Sequence, residues 1–237
     1  MSWGQNKLAL SRAAVAAVLI AGAAAAQANV LVVRSSGPSA ASYRPGRSLP
    51  DNARIALRPG DTLVLLSSAG TRTFRGPGTF SPAQAVQAQT RTVQGSNGQT
   101  ARVGAVRSAG ILPTSPTTIW QVDVSQGGTM CLASTSDVML WRPDSSRQTT
   151  VTIIGHDGAS HDVIWPAGSA TAAWPSSMPI ADGATYQLRQ PGVAVPTQVT
   201  FKTLQSVPED VQGVAEALIR NECEEQLDLL VASTPTL

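Results

Sequence analysis

Short apolar segments recur between residues 118 and 204, separated by Gly, Pro, Asp and Ser residues that favour turns. Their length and their regular spacing predict β-strands rather than helices. The eight predicted strands are Ile119–Val124, Met130–Ala133, Val138–Trp141, Thr149–Ile154, Asp162–Trp165, Thr171–Trp174, Ala184–Arg189 and Gln198–Leu204. Turn signals about every ten residues between short strands are typical of a β-sandwich, so residues 118–204 are predicted to form one.

A second group of strands is predicted near the N-terminus, after a Ser/Gly/Pro-rich stretch over residues 35–50 that is expected to be irregular. The predicted strands are Val30–Val33, Ala53–Leu57, Thr62–Leu66 and Thr71–Arg75, with turns at Arg58–Asp61, Ser67–Gly70 and Gly76–Gly78. Strands joined by such turns predict a β-meander. The continuous apolar run Leu63–Leu66 indicates a central strand.

The pattern changes to a helical period after residue 205. Apolar residues Val211, Val214, Ala215 and Leu218 share one helix face. Pro208 is predicted to open this helix, with Glu209 and Asp210 in its first turn. Asn221 is expected to interrupt the helix, and Glu222–Val231 is predicted to form a second one that presents Leu227, Leu230 and Val231. Residues 205–237 are therefore predicted to be a helical segment that packs on the sandwich.

The first 28 residues have the pattern of a cleaved secretory signal. Lys7 and Arg12 precede the apolar run Ala13–Ala26, which ends at the small-residue site Ala26-Gln27-Ala28. The run is too short for a membrane span of about 20 residues. We therefore expect a periplasmic or extracellular protein of the bacterial envelope that starts near Asn29 and has no transmembrane segment after cleavage.

The predicted organisation is a mainly β protein with two β regions. Its parts are a signal peptide at 1–28, a small β-domain at 29–93, a linker at 94–117, the sandwich at 118–204 and the helical segment at 205–237. Ser81 and Pro82 resemble a helix start, which predicts a short helix over about 82–91 within the first domain.

The two cysteines, Cys131 and Cys223, are predicted to form a disulfide, because an isolated pair in an oxidising compartment usually does. The bond would tie the helical segment to the sandwich. The alternative is a pair of buried free thiols.

Charge is distributed unevenly along the chain. Residues 29–123 contain ten Arg and three Asp, a net charge of +7, whereas residues 124–237 contain five basic and twelve acidic residues, a net charge of −7. Either the basic half meets an anionic polymer or an acidic partner protein of the envelope, or the two halves neutralise each other, or the scattered arginines are simply solvated. No recognition-helix or aromatic-basic pattern is present, so nucleic acid is not expected as a partner.

Both histidines lie in one cluster, Gly155–Asp162, where His156 and His161 flank a predicted hairpin turn. Two His and Asp162 make a partial zinc or copper site, or the acid-base residues of a hydrolase, although further ligands are not visible. The alternative is a solvated turn. The chain lacks a nucleophile elbow, a zinc-protease motif, a P-loop and a dinucleotide fingerprint, so neither a catalytic residue nor a cofactor is predicted.

The four tryptophans Trp120, Trp141, Trp165 and Trp174 also have two interpretations. They form either part of the sandwich core or a platform for sugar rings.

Two partial resemblances accompany these patterns. The stretch from Leu57-Arg58-Pro59-Gly60-Asp61-Thr62 through Thr71–Phe80 resembles the β-repeats of FecR-like periplasmic domains over about residues 53–80. Trp174-Pro175 followed by Ala184–Leu188 is similar to the strand B to strand C passage of fibronectin type III and immunoglobulin-like sandwiches, within 118–204. The first implies a periplasmic sensing or structural domain, and the second implies a buried Trp packed beside a Tyr. Neither transfers an active residue.

The sequence therefore predicts an exported, non-enzymatic, β-rich binding or scaffold module for an envelope protein or polymer. The alternatives are a FecR-like sensing partner of a membrane protein, and an envelope hydrolase or metal-binding protein that uses His156 and His161.

Overall fold

The computed structural model describes residues 29–83 and 115–237. Within them, fourteen strands and two C-terminal helices form a mainly β protein, as predicted. The predicted signal peptide, most of the predicted helix over 82–91 and most of the linker over 94–117 lie outside the described residues. No helix in the described ranges is long and apolar enough to cross a membrane.

The N-terminal unit contains six strands. They are β1 (Asn29–Ser36), β2 (Ser48–Pro50), β3 (Ile55–Leu57), β4 (Thr62–Ser67), β5 (Gly70–Arg75) and β6 (Gly78–Phe80). Four of them form a sheet in the order β2-β1-β4-β5, and β3 pairs with β6 as a separate ribbon. Apolar residues from one face of the sheet and from the ribbon enclose the N-terminal core: Val30, Val32, Leu49, Ile55, Leu57, Leu63, Leu65 and Phe74.

The hairpin β4–β5 and the central position of β4 match the predicted meander, but the position of β3 does not. β4 pairs with β1 instead, from Leu31↔Leu66 to Ser36↔Thr62. Turn residues predict where the chain reverses, and they leave open which strand becomes the neighbour. The stretch predicted to be irregular also contains β2, which pairs with the start of β1.

The sandwich contains the eight strands that the sequence predicts. They are β7 (Gln121–Asp123), β8 (Gly128–Leu132), β9 (Met139–Trp141), β10 (Thr149–Ile154), β11 (Ser160–Trp165), β12 (Thr171–Ala173), β13 (Thr185–Arg189) and β14 (Thr197–Thr203). One sheet has the order β11-β10-β13-β14-β8 and the other has the order β12-β9-β7. Buried residues from both sheets share one core, which includes Leu140, Ile153, Trp165, Tyr186 and Phe201.

Two helices follow β14: α1 (Val211–Arg220) and α2 (Glu224–Ser233). The first begins later than predicted, because Asp210 is its N-cap and accepts a hydrogen bond from Gly213 N, so Pro208 lies outside it. Asn221 ends α1, as predicted. The second helix is shifted from the predicted Glu222–Val231 by two residues at each end.

The helical segment lies between the two β regions. Its buried residues Leu218 and Leu227 share a core with Leu31 and Leu66 of the N-terminal sheet and with Cys131 of the sandwich. We call this set of residues the junction core. The sequence predicts packing on the sandwich, and the structure adds a contact with the N-terminal sheet.

Candidate binding cleft

The histidine cluster forms the predicted hairpin between β10 and β11, but its side chains diverge. His156 lies in the turn with its ring centroid 6.0 Å from that of Tyr186. His161 Nδ1 lies 3.1 Å from Ser177 Oγ. Asp162 Oδ1 accepts a hydrogen bond of 2.6 Å from Thr152 Oγ1. Neighbouring strand residues point to opposite faces, so Asp162 cannot orient the His161 ring. The two imidazoles therefore contact different residues, Tyr186 and Ser177.

Metal ligands are not gathered in the hairpin. Across residues 29–83 and 115–237, no group of three or more His, Cys, Asp or Glu side chains is placed to hold a metal ion. Structural and catalytic zinc sites need at least three protein ligands, so the described residues of this hairpin do not form one.

The tryptophans belong to the cores. Trp141 and Trp165 are fully buried, and Trp174 is 9% exposed. The Trp174 ring lies 5.2 Å from those of Tyr186 and Phe201, close to edge-to-face geometry. Trp120 is half-buried against the junction core. Three of the four rings therefore cannot serve as an exposed sugar platform.

The predicted disulfide lies in the junction core. Cys131 and Cys223 are fully buried, bonded to each other, and have Cα atoms 5.9 Å apart. Cys131 is on β8 and Cys223 is the N-cap of α2, so the bond fixes the start of α2 to an edge strand of the sandwich.

A buried glutamine that the sequence analysis missed completes this attachment. Gln226 Oε1 accepts a bond of 2.6 Å from Cys131 N, and Gln226 Nε2 donates to Cys131 O at 2.9 Å and to Ile119 O at 2.8 Å. The side chain is 1% exposed. It pairs with the outer edge of β8 as a neighbouring strand would. In the sequence, the feature that could have indicated this role is a Gln in the first turn of a predicted helix, three residues after the disulfide-bonded Cys223.

A cleft of about 560 Å³ opens beside the junction core, between the N-terminal sheet and the two helices. Its apolar lining comes from both sides and consists of Val33, Pro45, Val64, Leu218, Ile219 and Leu227. The sheet adds hydroxyl groups from Ser35, Ser36 and Thr62. The turn between the helices adds the carboxylate of Glu222, and α2 adds those of Glu224, Glu225 and Asp228. An apolar floor with one acidic wall is a surface that can receive a side chain and its cationic neighbours.

One ion pair crosses the cleft. Arg34 of β1 meets Asp228 of α2, and both side chains are about half exposed, so solvent screens the pair. The other three carboxylates of the wall belong to exposed residues. The wall therefore keeps a negative charge toward solvent.

Glu222, in the acidic wall, has a φ of 58°. Among the described residues it is the only one other than glycine with a positive φ. Glu222 N donates to Ile219 O at 3.2 Å and Cys223 N donates to Leu218 O at 2.9 Å. These two bonds form a Schellman motif, which usually has glycine at the position of Glu222. The sequence analysis missed this motif because the glycine is absent.

A buried carboxylate lies next in sequence to the cleft residue Thr62. Asp61 is 2% exposed, directly precedes Thr62, and accepts hydrogen bonds from the backbone N–H groups of Ser39 and Arg58. Burial raises the pKa of Asp61, but the hydrogen bonds from Ser39 and Arg58 outweigh it and leave this pKa below its ordinary value. The carboxylate thus holds the β3–β4 turn against the loop that follows β1.

Comparison with known proteins identifies no relative: no protein-family model, curated protein or solved structure matches this chain. The resemblances to FecR-like domains and to fibronectin type III or immunoglobulin-like sandwiches stay sequence-based predictions.

Proposed function

We propose that this chain is an exported, non-enzymatic binding module of the cell envelope, and that its cleft receives a basic and partly apolar segment of a partner protein. The observation that carries the proposal is the cleft itself, in which an apolar floor adjoins a wall of four carboxylates. A Lys or Arg at the wall is attracted while its neighbours bury apolar surface on the half-buried side chains of Val64 and Ile219.

The backbone at Glu222 supports this proposal. A left-handed conformation costs a residue other than glycine about 1–2 kcal/mol, and such outliers concentrate at functional sites. Folding alone favours glycine here, whereas a binding role for the carboxylate accounts for glutamate.

Export is supported by the signal pattern in residues 1–28 and by the disulfide, since disulfides persist in oxidising compartments. A FecR-like sensing role is compatible with the same cleft if the partner is a membrane protein. We place the protein in the periplasm or outside the cell on these grounds.

The hydrolase alternative uses His156, His161 and Asp162, and the structure adds Ser177, whose Oγ lies within hydrogen-bond distance of His161 Nδ1. A nucleophile and base of this kind also need a group that orients the imidazole, and Asp162 bonds Thr152 instead. Replacing His156 and His161 by Ala tests this alternative, because loss of a hydrolytic activity with an intact fold would establish it and refute the non-enzymatic proposal.

The experiment for the cleft is selection of displayed random dodecapeptides on the purified protein. We expect enrichment of sequences that combine Lys or Arg with apolar residues. The variant Glu222→Lys/Glu224→Lys should bind these peptides at least about tenfold more weakly, with a loss that shrinks at high salt.

The matched control is Asp137→Lys/Glu209→Lys, which makes the same charge change at exposed residues away from the cleft. It should bind as the wild type does. Equal binding by the cleft variant and the wild type, or enrichment of acidic peptides, would refute the proposal.

Enrichment of acidic ligands would instead favour the basic side of the N-terminal unit. Residues 29–83 contain seven Arg and two Asp. Of these, Arg44, Arg54 and Arg58 are exposed and form no ion pair within the described residues. An anionic envelope polymer is the ligand that this charge would attract.

A further inference from the structure

The outer edge of β5 is partly occupied by the chain's own C-terminal residues. Thr71 N donates to Pro235 O at 2.8 Å, and Leu237 N donates to Thr71 O at 3.0 Å. These two bonds flank Thr236 and form a parallel bridge. Residues 235–237 therefore lie beside β5 as the beginning of a fifth strand of the N-terminal sheet.

The same edge continues beyond this contact. In an antiparallel pair, the N–H and C=O groups of alternate residues point toward the same neighbour. Because the backbone N–H and C=O groups of Thr71 point away from β4, those of Thr73 and Arg75 do so as well. Gly76 N, in contrast, donates to Asp61 O on the β4 side. Neither Thr73 nor Arg75 has a backbone hydrogen bond at this edge within the described residues.

The side chains leave this edge accessible. Thr73 and Arg75 are both exposed, and neither belongs to the lining of the cleft. The edge is also built for close approach of a strand, because a Cβ placed on Gly70 would lie 2.4 Å from Pro235 O. Uncovered strand edges are templates for strand addition.

We propose that the outer edge of β5 is a strand-addition site, where an extended segment of a partner protein pairs in parallel with Thr73 and Arg75. The direction follows from residues 235–237, which already pair in that sense at Thr71. The two open residues offer two N–H donors and two C=O acceptors. The cation of Arg75 favours an acidic residue beside it, and the strand geometry favours β-branched residues. This surface is separate from the cleft and stands without it.

The test is hydrogen exchange of the full-length protein with a synthetic heptapeptide of alternating Thr and Val that contains one Glu. We expect exchange at Thr73 and Arg75 to be fast in the free protein and to slow by about tenfold with the peptide. A peptide of the same sequence that is N-methylated at alternate backbone nitrogens is the matched control, and it should give no protection.

Two outcomes would overturn the proposal. One is protection of the Thr73 and Arg75 amides in the free protein, which means that another segment of the chain already pairs there. The other is equal protection by both peptides, which means that backbone pairing is not the mode of contact. The variant Thr73→Pro, which lacks the donor, should lose the response while its urea unfolding midpoint stays close to that of the wild type.

Discussion

Replacing Gln226 by Leu tests how the helical segment is held to the sandwich. Leucine keeps most of the buried apolar volume but removes all three hydrogen bonds, which are 2.6, 2.9 and 2.8 Å long. Two of the released partners, Cys131 N and Cys131 O, are in a fully buried residue. The third, Ile119 O, belongs to a half-buried residue that water can reach.

The magnitude follows from the number of orphaned groups. Each buried unsatisfied backbone group costs about 1–3 kcal/mol, and a group that water can reach costs little. We therefore expect the free energy of unfolding to fall by about 2–6 kcal/mol, with the disulfide still formed. The measurement is urea unfolding of the oxidised protein, followed by exchange of the Cys131 amide.

Gln212 offers a matched control on the other helix. Its Nε2 donates to Asn29 O at 2.9 Å and to Leu66 O at 3.1 Å, but the side chain is only half-buried. Gln212→Leu should lower the free energy of unfolding by less than Gln226→Leu does, because Asn29 is exposed to water and only one released group, Leu66 O, belongs to a buried residue. Equal losses in the two variants would refute the argument that burial of the orphaned groups sets the cost.

Four further variants follow from the described contacts. Gly70→Val should displace residues 235–237 from β5, because its Cβ would meet a backbone oxygen at 2.4 Å, and faster exchange of the Leu237 amide would report it. The buried Arg142 guanidinium donates to the carbonyl oxygens of Arg147, Pro166 and Ser169, so Arg142→Lys should lower the free energy of unfolding by about 2–4 kcal/mol; a wild-type urea midpoint would contradict this. Glu222→Gly should stabilise the fold by up to about 1 kcal/mol yet weaken binding of basic peptides, and a loss of stability would show that its backbone is unstrained. Asp61 contributes stability above its unfolded pKa that is lost as the pH falls through the lowered folded pKa, so Asp61→Asn should flatten the decline in stability below about pH 4 in acid titrations.

The strands were predictable because each depends on local pattern. The stretch Thr149–Ile154 is a strand in both prediction and structure, since its alternating residues suit a half-buried sheet whatever the neighbour is. Strand pairing was harder to predict than strand position. The turn Arg58–Asp61 was predicted, but β4, which follows it, pairs with β1 and not with β3. Strand order depends on contacts between distant residues, which local patterns do not encode.

The cleft was not predictable for the same reason. Its sides come from β1, β4 and the two helices, and Arg34 meets Asp228 across most of the chain length. His156 and His161 lie five positions apart in the sequence, but strand alternation turns the side chains of His161 and Asp162 to opposite faces of β11. The disulfide was predictable from the cysteine count and the expected compartment. The hydrogen bonds of Gln226 could not be predicted, because they depend on which strand edge α2 contacts.

The charge asymmetry gains a meaning that composition alone did not give. The helical segment, residues 205–237, contains seven acidic residues and one Arg, a net charge of −6, whereas residues 29–83 have a net charge of +5. These oppositely charged parts pack on each other through apolar residues of the junction core, with Arg34 and Asp228 as an ion pair between them. Most of the opposite charges on the two parts are therefore not in direct contact, and physiological salt screens their attraction beyond about 8 Å. Glu222 and Glu224 on one side and Arg54 and Arg58 on the other remain exposed. Each surface can therefore attract a partner of opposite charge while the whole molecule stays nearly neutral.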